Sequence, residues 1–171
     1  MFIDETGSTI SMTRSHARAP KGQRAEDAVP RNRGTVTTII GALTVDGLTA
    51  VMTTEGGTSG DVFTAYVENF LLPVLLPGDL VVMDNLAAHK DHRVRALIES
   101  RRAKLVFQPP YSPDMNPIEL AWSKLKWWLR TAKARTHQAL DNAVKQVIES
   151  VITTDDARAW FTHCGYDTVL P

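Results

Sequence analysis

The chain has 171 residues, of which 43% are hydrophobic and 22% charged, and its 19 basic side chains balance its 19 acidic ones. Ordinary apolar content and zero net charge exclude a disordered chain, and the length suits a single domain spanning residues 1–171. One cysteine, Cys164, excludes a disulfide framework, and the lack of a long apolar run or signal peptide predicts a soluble cytoplasmic protein with no membrane partner.

The first predicted elements are short strands separated by a basic loop. Residues 2–6 (FIDET) predict a strand, and residues 11–34 predict a long loop because prolines and glycines interrupt a run of basic residues. Residues 35–45 and 48–54 are rich in β-branched side chains, as strands are. An Asp-Gly dipeptide between them tolerates positive φ, so the two runs form a predicted hairpin.

A helix and a buried strand follow the hairpin. Residues 62–75 carry apolar side chains at helical spacing, with Ser59 or Asp61 as the cap and Pro77 beyond the end. Residues 80–84 (LVVMD) form an apolar run that ends in an acid, which is typical of a strand covered on both faces. The side of the helix predicted to face the core contains Phe63, Val67, Phe70 and Leu71.

The second half of the chain is mainly helical. A helix over residues 91–101 and a strand over residues 104–108 precede a loop stiffened by proline. Asn116, Pro117 and Glu119 then stand at the cap, first and third positions of a predicted helix. The order of these elements predicts an α/β fold, a mixed sheet with helices on both faces. The remaining predicted helices cover residues 137–151 and 155–161.

Three carboxylates occupy positions that favour catalysis. Asp4 ends the first strand, Asp84 ends the buried strand, and Glu119 lies in the first turn of a helix behind a rigid loop. A carboxylate at the carboxyl end of a central strand is where α/β sheets place ligand chemistry. Burying such groups is costly unless a cation compensates them, and hard oxygen ligands suit Mg²⁺ or Mn²⁺.

Each acid also has a purely structural interpretation. Asp4 can simply end a strand beside Glu5, and only one of these two side chains can face inward because side chains alternate along a strand. Asp84 can cap the turn that follows it, and Glu119 can serve as the glutamate of a capping box. The residues alone leave these alternatives open.

The sequence resembles a known family at these acids. Asp4 in FIDET, Asp84 in VVMDNLAAHK and Glu119 in PPYSPDMNPIELAWSKLK are similar to the catalytic triad of DDE transposases of the mariner superfamily, in particular the bacterial insertion sequence 630 family. Thirty-four residues separate Asp84 from Glu119, which matches the spacing of that branch. The segments RAPKGQR, PGDLVVMDN, VRALIES, LKWWLR and CGYD extend the resemblance over essentially the whole chain.

The resemblance implies a fold and an activity. Members of this family have a ribonuclease H-like core, in which Asp4, Asp84 and Glu119 would be both the catalytic residues and the ligands of two Mg²⁺ (or Mn²⁺) ions. The implied reaction is Mg-dependent cleavage of DNA at the ends of an insertion sequence, followed by strand transfer into target DNA. No covalent link between protein and DNA is expected.

Two further residues match family positions next to the second acid. Asn85 would orient Asp84 or bind a metal-bound water, or else start a turn. His89 would contact the scissile phosphate, or else lie on the surface at a helix start. Both interpretations stay open for each residue.

Basic side chains supply the predicted DNA contacts. Lys126 and Arg130 share a helix face with Glu119, as a phosphate backbone approaching the acids requires, although a solvated face is the alternative. Residues 14–33 carry six basic and two acidic side chains in a loop that either contacts DNA or is disordered in the free protein. The candidates in that loop are Arg14, Arg18, Lys21 and Arg24.

The implied partners are double-stranded DNA, at the element ends and the target, and a second copy of the chain in the active complex. Complete members carry N-terminal helix-turn-helix domains that read the terminal repeats. We therefore expect a separately encoded or frameshift-joined N-terminal DNA-binding part, and a bacterial, nucleoid-associated location. Two other interpretations stay open: a catalytically silent truncated remnant acting as a DNA-binding or dimer-forming regulator, and a ribonuclease H-like nuclease that does not transpose.

Overall fold

The computed structural model describes residues 1–110 and 112–167. The strands in this part of the chain are β1 (Phe2–Ser8), β2 (Thr37–Thr44), β3 (Gly47–Glu55), β4 (Leu80–Met83) and β5 (Lys104–Phe107). They form one sheet in the order β3-β2-β1-β4-β5. β2 is antiparallel to β1 and β3, whereas β4 is parallel to β1 and β5, so the predicted mixed sheet is confirmed.

Helices cover both faces of the sheet, as predicted. The α-helices of the described residues are α1 (Gly60–Tyr66), α2 (His92–Ser100), α3 (Pro117–Ala132), α4 (His137–Ser150) and α5 (Thr154–His163). Side chains of α1 and α2 belong to one apolar core, and those of α3, α4 and α5 belong to the other. None of the helices in this part of the chain is long and apolar enough to cross a membrane.

The central strand β1 divides the two cores. Phe2 packs with Trp122 of α3, whereas its neighbour Ile3 packs with Phe63 of α1 and Ile98 of α2. Successive side chains of a strand point to opposite faces, so each residue of β1 contributes to one core only. Burial on both faces holds β1 rigidly in the middle of the molecule.

The hairpin between β2 and β3 forms at the predicted Asp-Gly turn. Gly47 has a φ of 132°, a conformation that favours glycine. The pairing shifts between Ile40 and Ala42, and Ala50 on the opposite strand has a φ of 47°. Such a bulge bends the hairpin and increases its twist.

The first helix differs from its prediction. Ser59 caps α1 by accepting a hydrogen bond from the Val62 N–H, but α1 continues into a π-helical turn at Val67–Leu71 and ends well before Pro77. A π-helical turn contains more residues than an α-helical turn, so the side chains within it are rotated relative to those of α1. The prediction that Phe70 faces the core is wrong, since this residue is 38% exposed.

Candidate active site

The carboxyl ends of β1 and β4 meet in the middle of the sheet. The two strands are parallel neighbours, and Ile3 pairs with Met83. The next residue along each chain segment is an acid, Asp4 within β1 and Asp84 directly after β4. The ladder therefore brings two carboxylates that are far apart in sequence to the same edge of the sheet.

Asp4 is a buried carboxyl group among other acids. It is 9% exposed, and its Oδ1 accepts a hydrogen bond from the backbone N–H of Glu5 at 2.8 Å. Burial raises the pKa of Asp4 to about 7, against the lowering effect of the Glu5 N–H, and the charges of Glu119, Glu5 and Asp84 raise it further. The charges of three other acids thus reach the carboxyl group of Asp4.

Asp84 contacts a histidine. Its Oδ1 accepts a hydrogen bond from the Leu86 N–H at 2.9 Å and lies 2.7 Å from Nδ1 of His89. The approach to Nδ1 lacks the alignment of a hydrogen bond, so the contact is an ion pair. Burial alone would raise the pKa of Asp84, but His89, the Leu86 N–H and Lys90 hold it below its usual range. The bond to Leu86 also confirms that Asp84 caps the turn after β4.

Glu119 lies exposed in the first turn of α3, two residues after Pro117 at the first position. Asn116 occupies the cap position as predicted, but its side chain makes no capping hydrogen bond. Within the described residues the carboxylate of Glu119 accepts no hydrogen bond either, so the capping-box interpretation of this residue is wrong. Its carboxylate is left available to a ligand.

Hydrogen bonds fix the loop that leads into α3. The Gln108 side-chain amide and the Tyr166 hydroxyl donate to the carbonyl of Met115, at 3.3 and 2.9 Å. The side-chain amide of Asn85 donates to the carbonyl of Gln108 at 2.6 Å. Asn85 therefore ties the end of β4 to the end of β5. Tyr111, in the PPYSP segment of this loop, lies outside the described residues.

All three predicted catalytic acids line one pocket of about 460 Å³. A second pocket, of about 610 Å³, is also lined by Asp4 and Asp84 and extends to Glu5 and Thr58. The two central acids therefore form a wall shared by both pockets, which leaves room on either side of them. The pocket of about 460 Å³ is also lined by Asn85, Leu86, Gln108, Asn116 and prolines of the loop before α3.

The side chains that line this pocket are chemically suited to binding a hard divalent cation. Carboxylate oxygens are the ligands that Mg²⁺ and Mn²⁺ prefer, and the pKa of Asp4 is raised first by burial and then by the negative charges around it. Among residues 1–110 and 112–167, however, no three His, Cys, Asp or Glu side chains are grouped so that they could hold one ion. The acids share a pocket in an open arrangement, without converging on a single point.

His89 does not lie on the surface, where one of its two sequence interpretations places it. Its side chain is fully buried, with the ring centroid 4.2 Å from that of Phe63 and Nε2 3.1 Å from Oε2 of Glu5. The 3₁₀ turn Ala87–Lys90 folds the imidazole inward, between Glu5 and Asp84. The surface position is therefore wrong for His89, whereas its contact with the scissile phosphate stays a prediction.

Glu5 is the residue of this site that sequence reasoning missed. Asp4 and Glu5 lie on opposite faces of β1, but both are largely buried, with the Glu5 side chain only 11% exposed. The prediction that only one of them faces inward is wrong because His89 supplies a polar partner on the second face. The one sequence signal for Glu5 was its position next to Asp4, because its partner His89 lies 84 residues away.

A basic groove flanks the second half of α3. A pocket of about 340 Å³ is lined by Arg14, Ser15, His16, Trp127 and Arg130. The Nε–H of Arg14 donates to the Thr131 hydroxyl at 3.3 Å, which brings the predicted basic loop to α3. Trp127 is 60% exposed, and in the described part of the chain Lys126 and Arg130 have no ion-pair partner. Three other loop candidates, Arg18, Lys21 and Arg24, are exposed and form no ion pair there.

Two comparisons by sequence give the family. A family model described as "DDE superfamily endonuclease" matches residues 1–141. The transposable element Tc1 transposase of Caenorhabditis elegans is 35% identical over 79 residues, which are 44% of this chain and 29% of that protein. The chain thus spans less than a third of this curated relative.

Comparison with solved structures gives the fold. A Mos1 transposase paired-end complex with left transposon end has a TM-score of 0.72 at 14% identity, over 95% of this chain and 51% of that chain. The catalytic domain of Mos1 mariner transposase has a TM-score of 0.69 at 10% identity, over 95% and 76%. The catalytic core domain of BIV integrase has a TM-score of 0.51 at 16% identity, over 80% and 92%. These likenesses confirm the ribonuclease H-like core.

Proposed function

The chain belongs to the DDE superfamily endonucleases, as a mariner-type domain, and on this premise we propose that it is the catalytic domain of a DNA transposase. Its reaction is cleavage of DNA strands at the ends of an insertion sequence and joining of those ends to target DNA. The observation that carries the proposal is the position of the three acids. Two of them follow paired residues of parallel central strands, and Glu119 lines the same pocket.

We assign Asp4, Asp84 and Glu119 as the ligands of two Mg²⁺ or Mn²⁺ ions. Such a pair of ions activates the attacking oxygen and stabilises the leaving oxygen of a phosphodiester when bound. Asp84 contributes an anionic carboxylate, since its contacts keep its pKa low. Glu119 contributes a carboxylate that forms no internal hydrogen bond in the described structure, on a helix start fixed by proline.

The DNA path that we propose runs from the acids along α3. Lys126 and Arg130 follow Glu119 on one helix face, and these cations, which form no ion pair within the described residues, suit phosphate oxygens. Arg14 adds a cation from the opposite wall of the basic groove. The exposed indole of Trp127 offers an apolar face on which a base can stack. These residues position DNA but read no sequence.

Recognition of the element ends and pairing of the two ends require further parts. We propose that a separately encoded or frameshift-joined N-terminal part supplies sequence recognition, and that two copies of this domain act together. The Mos1 structures that share this fold include complexes with transposon-end DNA, which supports DNA as the partner. The PPYSP…NPIE segment supports assignment to the bacterial insertion sequence 630 branch.

The test is nicking of supercoiled plasmid DNA by the purified chain with Mn²⁺ or Mg²⁺. We expect Glu119→Gln to lower the nicking rate at least about 100-fold, since each ligand helps to hold the metals. Glu119 is exposed and forms no hydrogen bond in the described structure, so this variant should unfold at the wild-type temperature. Glu68→Gln, an exposed change on the turn after α1, is the matched control and should nick like wild type.

Equal nicking by wild type and Glu119→Gln would show that the acids do not catalyse the reaction. A folded wild type that binds DNA but nicks with neither metal would instead favour a silent regulator. Joining of a labelled oligonucleotide with a free 3′-hydroxyl to the plasmid separates a transposase from a simple nuclease, which would cut without joining.

A further inference from the structure

The buried histidine between two acids forms a bridge that connects β1 to the end of β4. Nε2 of His89 lies 3.2 and 3.1 Å from the two carboxylate oxygens of Glu5, within hydrogen-bond distance of both. Nδ1 lies 2.7 Å from Oδ1 of Asp84. The ring is fully buried and packs on Phe63, so water cannot replace either contact.

The two contacts of the imidazole ring differ in kind. A carboxylate only accepts hydrogen bonds, so the Nε2–H of His89 is the donor to Glu5. Nδ1 lies close to Oδ1 of Asp84 but is not aligned for a hydrogen bond with it. His89 therefore joins the two carboxylates through one directed hydrogen bond and one close contact.

Glu5 restricts the position of the imidazole ring of His89. The side chain of Glu5 leaves β1 on the face opposite Asp4 and is only 11% exposed. With Nε2 held by Glu5 and the ring against Phe63, the imidazole cannot rotate away from Asp84. The only other contact to the Asp84 carboxylate within the described residues is the Leu86 N–H, which approaches the same oxygen.

We propose that Glu5 is a positioning residue, which acts through His89 to hold the carboxylate of Asp84 in place for binding a divalent cation. This inference rests on the proposed function, since it assumes that Asp84 is a metal ligand.

Mn²⁺ binding to the free chain, measured by calorimetry without DNA, tests the proposal. Partners that orient a metal ligand typically contribute about 10–100-fold to metal affinity. We therefore expect Glu5→Ala to weaken Mn²⁺ binding at least about 10-fold. Glu5→Gln should stay within about threefold of wild type, because its amide oxygen can accept the same hydrogen bond from Nε2. Glu68→Ala is the control and should bind as wild type does.

A folded Glu5→Ala protein with wild-type Mn²⁺ affinity would overturn the positioning role and leave Glu5 a support of the fold alone. Where Glu5→Ala does not fold, the wild type still decides the matter. Its ¹⁵N spectrum should show the Nε2–H of His89 slowed in exchange with water, because this group is buried and bonded to Glu5. An Nε2 without a proton, or with a proton that exchanges freely, would refute the bridge.

The outcome is separable from that of the proposed function. Should Glu119→Gln and Asp84→Asn both bind Mn²⁺ like wild type, the assigned metal site is wrong, whatever Glu5→Ala does. If those two variants lose Mn²⁺ binding while Glu5→Ala retains it, the assigned metal site is supported and only the positioning role of Glu5 is wrong.

Discussion

Trp122 packs its indole ring against Gly41, the residue that pairs with Asp4 across the β1–β2 ladder. A Cβ at position 41 would lie 3.0 Å from Cη2 of Trp122 and 3.2 Å from Cγ2 of Val51. Trp122 lies three residues after Glu119 in α3. Because Gly41 has no side chain, α3 can approach the sheet closely. This approach places Glu119 near Asp4.

Gly41→Ala should destabilise the protein by about 1–3 kcal/mol, the usual cost of overpacking a well-filled core. Trp122 is fully buried and cannot give way without moving α3. Urea unfolding measures this loss. The matched control is Gly57→Ala, where an added Cβ would meet nothing within 4 Å, so stability should hold or rise slightly. An equal loss in both variants would mean that backbone effects, and not the contact with Trp122, are responsible.

The strands and the hairpin could be predicted from local patterns. The β-branched runs, the apolar run before Asp84 and the Asp-Gly turn each depend on near neighbours in sequence, and each prediction is confirmed. The meeting of the acids was implied only by the resemblance to a ribonuclease H-like core. In the structure, parallel pairing of β1 and β4 brings Asp4 and Asp84 to one edge of the sheet, and Glu119 lines the same pocket.

The errors concern contacts that sequence patterns do not contain. The burial of His89 depends on Glu5, 84 residues away, and on the ring of Phe63. The exposure of Phe70 results from a π-helical turn, which departs from the 3.6-residue spacing that the prediction assumed. Asn116 also stands at the cap position with an extended backbone, as a cap residue does, yet its side chain makes no capping bond.

Asp4→Asn should stabilise the metal-free protein at pH 8 and have little effect near pH 4. The pKa of Asp4 is about 7 in the folded protein, above the value of about 3.9 expected in the unfolded chain. The folded state therefore holds this proton more tightly, and the associated stability is present below about pH 4 and lost as pH rises through 7. At pH 8 the free energy of unfolding of Asp4→Asn should exceed that of wild type by at most about 4 kcal/mol.

Urea unfolding of wild type and Asp4→Asn between pH 4 and pH 8 measures this difference. Added Mn²⁺ should reduce the difference in stability between wild type and Asp4→Asn at pH 8, because the cation stabilises the wild type and not the variant. Glu55→Gln, an exposed change at the end of β3, is the control and should show no such trend. A difference between wild type and Asp4→Asn that stays constant with pH would contradict a raised pKa at Asp4.

Arg130→Ala should weaken binding to duplex DNA by a similar factor for all sequences. Loss of one phosphate contact should also reduce the dependence of log affinity on log salt by about 1. Fluorescence anisotropy over a salt series measures both. Lys145→Ala removes an equal charge from the exposed side of α4, away from the basic groove, and should leave the salt dependence unchanged. Equal effects of the two changes would indicate only a response to net charge.

Asp156→Ala should cost about 1–2 kcal/mol at pH 7, because Asp156 and Thr153 form a capping box that also contacts Lys124 of α3. Burial opposes ionisation of Asp156, but Lys124 and Thr153 hold the pKa of Asp156 below its usual range. This contribution to stability is therefore present above about pH 4 and is lost as pH falls through the folded-state pKa. The free energies of unfolding of wild type and Asp156→Ala should therefore become equal in acid.

The control is Asp155→Ala, a change in the same helical turn at a residue that lacks the capping bonds. Equal losses at positions 155 and 156 would assign the effect to the charge of the helix end, since of these two acids Asp156 is the one that forms the ion pair with Lys124 of α3.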